Sequence, residues 1–322
     1  MPAPETLAPD RPPWRGAQWS WIIQTFLYMK QAGLNVELVE KLVDGAICVV
    51  HYSTFSSKVW GINAFIVGVR ADNPPIRMRE IEIVQSPANL GDSGTFLVHH
   101  WPQPKLIPRD ANRRNKIEKI SYFGGEGGMS PKYFSPEIRS VLKELGVTIN
   151  LCFDTTQWGN YKDTDLVLAV RNHHHSSLID TKPASKLVNT WHAGCVALLG
   201  NEPAYRAAGQ SEKDYFEVDS PEDMVKTVTR LKKSPEIYQR VREAGMAKSP
   251  EFSFEAVQSS WIALFEGPVT QAYEAWQKNQ GGALRSTRRY FQSAHQWVDH
   301  KLFKIPVRSQ QLMERWKTKY NI

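Results

Sequence analysis

Apolar and polar residues along this chain fall into two successive alternations of short apolar runs and polar connectors. Between Trp19 and Ala32, the residues Trp19, Ile22, Ile23, Phe26, Leu27 and Tyr28 recur at helical spacing and Gly33 supplies a stop, which predicts a first helix. Strand-like runs follow at 36–39, 46–51, 64–69, 81–84 and 95–99. Several are nearly continuous in apolar residues, the pattern of a parallel sheet covered on both faces.

A proline-dense, mostly polar stretch at 101–110 interrupts the pattern. Proline fixes φ and removes a backbone donor, so Pro102, Pro104 and Pro108 predict a stiff connector and a domain boundary here. The second alternation runs through strands at 117–123, 148–153, 165–170, 195–199 and 216–218, with helices at 136–145, 183–193 and 221–232. Strands alternating with helices of about ten residues are βαβ units. The expected fold is α/β, with two Rossmann-like domains facing across a cleft. From Phe254 the chain reads as helical, with Val257, Trp261, Leu264 and Phe265 on one stripe, and Gly281-Gly282 sets off a helical, basic C-terminal tail.

At 322 residues the chain exceeds what one core usually organises, in keeping with two domains. Its apolar runs are far shorter than the ~20 residues of a membrane span. The opening residues 1–16 lack a basic start followed by an apolar stretch, so they read as a flexible leader and the chain as cytoplasmic. Cys48, Cys152 and Cys195 sit apart among apolar neighbours, which predicts reduced packing residues and not disulfides or zinc ligands. The net charge of +7 is local: residues 279–322 hold nine Lys/Arg against Asp299 and Glu314, so the remainder is neutral overall.

The richest local signal is the run from Thr181 to Gly194. A helix start carrying Lys182, Ser185 and Lys186, with Asn189 on the same edge one turn later, is a natural anion site, because free backbone N–H groups and the helix dipole favour negative charge there. The rival reading is a capping serine with solvated lysines. A strand at 195–199 then ends at Gly200, with Glu202 just beyond its carboxyl end, where open α/β sheets bind ligands. Gly124 and Gly125 open a glycine-rich loop that lets backbone approach a phosphate or simply turns the chain. Arg171, at another strand end, is a further candidate for contact with an anionic ligand.

The run KPASKLVNTWHAGCVALLGNEPAYR, followed by Asp214-Tyr215-Phe216-Glu217-Val218, resembles the donor-binding region of GT-B glycosyltransferases, especially short bacterial ones with a K-P-x-x-K-L-x-N-x-x-x-A-G pattern. The resemblance covers roughly 116–267 and reaches the N-terminal half only loosely. It implies an acceptor domain over 17–110, a nucleotide-sugar-binding domain over 111–250, and a helix at 251–278 returning toward the first domain. It further implies a metal-independent, hexosyltransferase-like enzyme with no cofactor beyond its nucleotide-sugar co-substrate. On this footing Gly124, Gly125, Arg171, Lys182, Ser185, Lys186, Asn189 and Glu202 bind the donor, and a glycan, a small molecule or a lipid-linked compound accepts the sugar. The better-known retaining branch carries two glutamates where this chain has Thr181 and Asn189. That departure leaves a catalytically inactive binding or assembly protein as the alternative.

His51 ends the apolar run at 46–50 and is the candidate catalytic base of the first domain, or else a histidine bonded at a strand end. His173, His174 and His175 are consecutive, a spacing ill suited to one metal ion, and read as a polar loop. The tail interleaves Leu284, Phe291, Val298, Leu302, Leu312 and Trp316 with basic residues. It predicts either an interfacial helix on the anionic inner face of a membrane or a helix packed on the first domain with its charges in water. Charge without a recognised module argues against specific nucleic-acid binding.

Overall fold

The computed structural model describes residues 16–56, 63–171, 179–279 and 287–302. The expected leader and most of the three-histidine loop lie outside them, as do the tail's Leu284, Leu312 and Trp316. The apolar runs condense into two all-parallel sheets in two compact units. Among the described residues no helix is long and apolar enough to cross a membrane.

The first unit contains Ala17–Val84, Asn89–Val98 and the chain from Ser260 onward. Strands β1 (Ile47–His51), β2 (Phe65–Val69), β3 (Ile81–Val84) and β4 (Thr95–Leu97) lie in sequential order, with Ile47 beside Phe65 and Val67 beside Ile81. Every residue of β2 is buried, as its unbroken apolar run requires. Between β2 and β4 the connections hold no full α-helix; helical cover comes from the chain ends. A π-helical turn, Trp19–Ile23, leads into α1 (Gln24–Gln31), and Trp21 packs edge-on against Trp261, 6.5 Å between centroids. Phe65 is met by Tyr273 and Trp276. The strand expected at 36–39 does not form: the Val36 N–H turns back to the Leu34 carbonyl, and Val39 stays exposed.

The second unit contains Gln85–Ala88 and His99–Ser259. Its sheet runs β6-β5-β7-β8-β9, from β5 (Lys119–Phe123), β6 (Thr148–Cys152), β7 (Leu166–Ala169), β8 (Val196–Leu199) and β9 (Phe216–Glu217). Helices α2 (Pro136–Glu144), α3 (Ser185–Ala193), α4 (Pro203–Ala208), α5 (Pro221–Lys233) and α6 (Pro235–Lys248) accompany it. Alternate strand residues serve opposite faces. Leu166, Leu168, Val196 and Leu198 pack with Leu142, Met224, Val228 and Leu231, whereas Ala197 and Leu199 pack with Leu187, Trp191 and Tyr205. Both faces are thereby covered, the doubly wound arrangement.

The proline-dense stretch, expected to be a connector, is folded into this second unit. Trp101 stacks on Phe254, Ile107 exchanges backbone bonds with Gly159 and Tyr161, and Arg109 is buried against Asp165. Asp165, just ahead of β7, accepts from Arg109 and Arg113 and from the backbone N–H groups of Glu118 and Lys119. Proline stiffness supplied the shape, and this buried ion cluster fixes it in place. The unit changes at His99 and again inside α7 (Phe254–Leu264), which is followed by α8 (Thr270–Lys278). A last helix, α9, spans 287–302.

Candidate functional site

In the order β6-β5-β7-β8-β9 the chain leaves β5 toward one edge of the sheet and, after β6, continues to the other side of β5. The switch point therefore lies between β5 and β7, and ligands of open α/β sheets bind outside the carboxyl ends of strands at such a point. At the carboxyl end of β5, Phe123 passes into Gly124 and Gly125; β7 passes into Arg171; β8 passes into Glu202. Lys186, in the first turn of α3, completes the group. Its Nζ donates to the Phe123 carbonyl at 2.6 Å and lies 5.2 Å from the Tyr122 ring centroid.

Glycine at 124 permits this approach. A Cβ there would sit 2.5 Å from Tyr122 Oη and 3.1 Å from Lys186 Nζ. The Tyr122 hydroxyl meanwhile donates to the Gly125 carbonyl at 2.9 Å, bracing the loop. Arg171 Nε donates to Glu202 Oε2 at 3.0 Å, and Glu202 is 2% exposed. Its second oxygen, Oε1, is buried without a hydrogen-bond partner among the described residues. An unmet buried acceptor costs about 1–3 kcal/mol, so its presence calls for an explanation.

The charges reinforce the geometry. Burial drives the Lys186 amine down to about pKa 7, helped by the like charges of Arg171 and Lys182 and opposed by Glu202. Burial pushes Glu202 up, and Arg171 works against it. Arg171 pairs with Glu202, and Lys186 feels both charges. The helix start adds positive potential. Its N-cap is Ala184, which has no side chain to satisfy the first N–H groups of α3, and the dipole places partial positive charge there.

Among the residues expected to bind the donor, Gly124, Gly125, Arg171, Lys186 and Glu202 come together here. Lys182 acts on Lys186 through its charge, and Ser185 is the first residue of α3 rather than its cap. The helix begins two residues later than the position of Pro183 implied. Asn189 has a different partner: its Oδ1 accepts the Gln103 N–H at 3.0 Å and ties α3 to the proline-dense stretch. Tyr122, Tyr205 and Gln85 were not singled out in the sequence. Tyr205 is fully buried beside Arg171 and Glu202, and Gln85 donates to the Thr181 carbonyl at 2.9 Å ahead of α3.

His51 belongs to the other unit, at the end of β1. Its Nδ1 lies 2.8 Å from the Ser53 hydroxyl oxygen and 3.2 Å from the Ser53 backbone nitrogen. Nε2 is buried without a partner among the described residues, and burial lowers the imidazole to about pKa 4, with Asp72 opposing.

No family model and no curated protein matches the chain. Among solved structures it is similar to HepE of Anabaena in complex with UDP, at 10% identity over 63% of this chain and 72% of that one, TM-score 0.48. It is similar to TarM at 12% identity over 76% and 58%, TM-score 0.49, and to a glycosyltransferase from Rickettsia africae at 10% over 80% and 83%, TM-score 0.46.

Proposed function

We propose that the second unit binds a nucleotide-sugar and that the protein transfers its sugar to an acceptor hydroxyl. The observation that carries the reading is the cationic group at the switch point, Lys186 and Arg171, beside a buried Glu202 oxygen with no donor among the described residues. A diphosphate answers the cations and the open helix start, and a hydroxyl of the ribose or sugar answers Glu202 Oε1. One ligand satisfies both.

In the transfer, a bond forms from the acceptor oxygen to the anomeric carbon as the bond from that carbon to the diphosphate breaks, and the acceptor proton passes to the leaving diphosphate or to solvent. Negative charge grows on the leaving diphosphate, where Lys186, Arg171 and the first N–H groups of α3 stabilise it without reorganisation. No base is assigned to the acceptor.

Calorimetric titration with a panel of nucleoside diphosphates and nucleotide-sugars tests the binding half of the proposal, and release of nucleoside diphosphate from the matching nucleotide-sugar tests the transfer half. Lys186→Ala should weaken binding severalfold. A panel in which nothing binds would sink the reading. The second reading, a donor-binding protein without turnover, draws on Thr181 and Asn189 standing where the retaining branch has glutamates, with Asn189 committed to Gln103. Binding with no release of diphosphate on prolonged incubation would favour it.

A further inference from the structure

Helix α9 is built the wrong way round for a helix whose only task is to cover a sheet. Such a helix normally buries its apolar stripe and shows its polar side to water. Here the buried positions are Arg289, Ser293 and Gln296, with Gln292, Asp299 and His300 partly covered. The opposite side exposes Phe291 at 67%, Leu302 at 58% and Val298 at 42%, and Trp297, 50% exposed, lies on the flank.

The inward side is held by specific bonds. Arg289 donates to the carbonyls of Met78 at 2.6 Å and Ala64 at 3.3 Å and pairs with Glu80. Gln296 accepts the Arg77 N–H at 2.6 Å and donates to the Pro75 carbonyl at 3.3 Å. His300 Nδ1 lies 3.0 Å from the Tyr52 hydroxyl. Rotating the helix to hide its aromatic residues would break all of these, so the apolar side is locked outward.

We propose that the outward face of α9 docks on an anionic lipid bilayer. Phe291, Val298 and Leu302 recur at helical spacing and make one stripe to enter the acyl boundary. The exposed cations Arg288 and Lys301 border it, and Lys301 lies 5.4 Å from the Trp297 ring centroid, an aromatic and a basic residue side by side as at headgroup level. Among the described residues of α9 the exposed Arg288 and Lys301 are both cations, whereas Asp299 is partly covered and paired with Arg77, a balance that complements anionic headgroups. A nucleic acid would be met by the cations but would leave the aliphatic stripe in water. The inference does not depend on the sugar-transfer reading and has its own test.

The full chain is to be co-sedimented with vesicles of phosphatidylcholine alone and of roughly 70% phosphatidylcholine with 30% phosphatidylglycerol. Binding to the anionic vesicles only, weakened by added salt, is expected. The variant F291Q/V298Q/L302Q keeps helix-compatible residues and alters only exposed ones, and it should partition at least about tenfold more weakly. The variant R288E/K301E should lose preference for anionic vesicles. Unchanged melting temperatures would show that both variants are folded. Light scattering without vesicles separates a second copy of the chain from a membrane as the occupant. Wild-type binding to neither vesicle, undiminished binding of the glutamine variant, or a wild-type dimer that this variant turns into a monomer would each overturn the proposal.

Discussion

Raising the pH from about 5.5 to about 8.5 should strip the proton from Lys186 in the free protein, because burial and the charges of Arg171 and Lys182 bring its pKa down to about 7. A diphosphate beside the amine favours the charged form, so the bound state retains the proton. Above the free pKa, binding must therefore draw a proton from solvent, at about 1.4 kcal/mol per pH unit. Some 1.5 units above, this amounts to about 2 kcal/mol, or roughly a thirtyfold loss of affinity, whereas near pH 5.5 it is close to nothing. A nucleotide-sugar is the right ligand, since its diphosphate has no terminal phosphate titrating near pH 6 as a free phosphate does.

Calorimetry at several pH values gives the affinity, and repeating it in buffers of different ionisation enthalpy counts the protons taken up. Uptake of about one proton per ligand is expected near pH 8.5, and almost none near pH 5.5. Lys186→Ala should bind weakly and without this slope, so the two proteins converge at high pH. A wild-type affinity that stays constant across the range, or an equal slope in Lys186→Ala, would refute the reasoning. The linked effect on the free protein is fixed in sign. The native pKa lies below the unfolded one, so the unfolded chain holds more protons between about 7 and the ordinary lysine value. The contribution of Lys186 to stability therefore improves as pH rises through that window.

Three further outcomes test the frame around the site. Gly124→Ala pushes a methyl group to 2.5 Å from Tyr122 Oη and 3.1 Å from Lys186 Nζ, and titration should show about tenfold weaker nucleotide-sugar binding; unaltered affinity would argue against the loop's part in the site. Asp165→Asn leaves Arg109 and Arg113 without their carboxylate and should cost about 3–5 kcal/mol in urea unfolding. Burial opposes its charge, but Arg113, the Glu118 N–H and Arg109 outweigh burial and hold its pKa below the usual carboxylate range. Its stabilisation is therefore present above that range and lost as the pH falls through the depressed native value, so the gap between wild type and variant should close in acid. Gly245→Ala, inside α6, places a methyl group 2.3 Å from the Trp191 ring; the overpacking should exceed the roughly 1 kcal/mol gained in helix propensity, and a raised melting temperature would contradict this.

Most of the second unit is legible in the sequence because β5, β7 and β8 are buried on both faces and so read as unbroken apolar runs. The helix stop at Gly194, with φ +69°, likewise follows from local chemistry, whereas its start falls at Ser185 and not at Pro183. Where tertiary partners decide, the pattern misleads. Val36 and Val39 look like a strand but pair with no strand among the described residues, and the prolines at 102–108 look like a linker until Arg109 meets Asp165. For α9, spacing permits two orientations of an amphipathic helix. Only Glu80, Met78 and Tyr52, more than 200 positions away, select the one with its apolar side outward.

The two ends of β7 show why the site reads as a binding site and not as a stabilising device. At its amino end Asp165 receives six donors, so every lone pair of a fully buried carboxylate is committed, as a structural ion cluster in low dielectric demands. Beyond its carboxyl end Glu202 Oε1 has no donor among the described residues, and burial, with Arg171 beside it, brings the lysine close to losing its charge. For stability alone, apolar residues in those positions would do as well or better. The unmet acceptor and the crowded cations lie together beside the switch point, and a ligand bearing both a diphosphate and a hydroxyl would answer both.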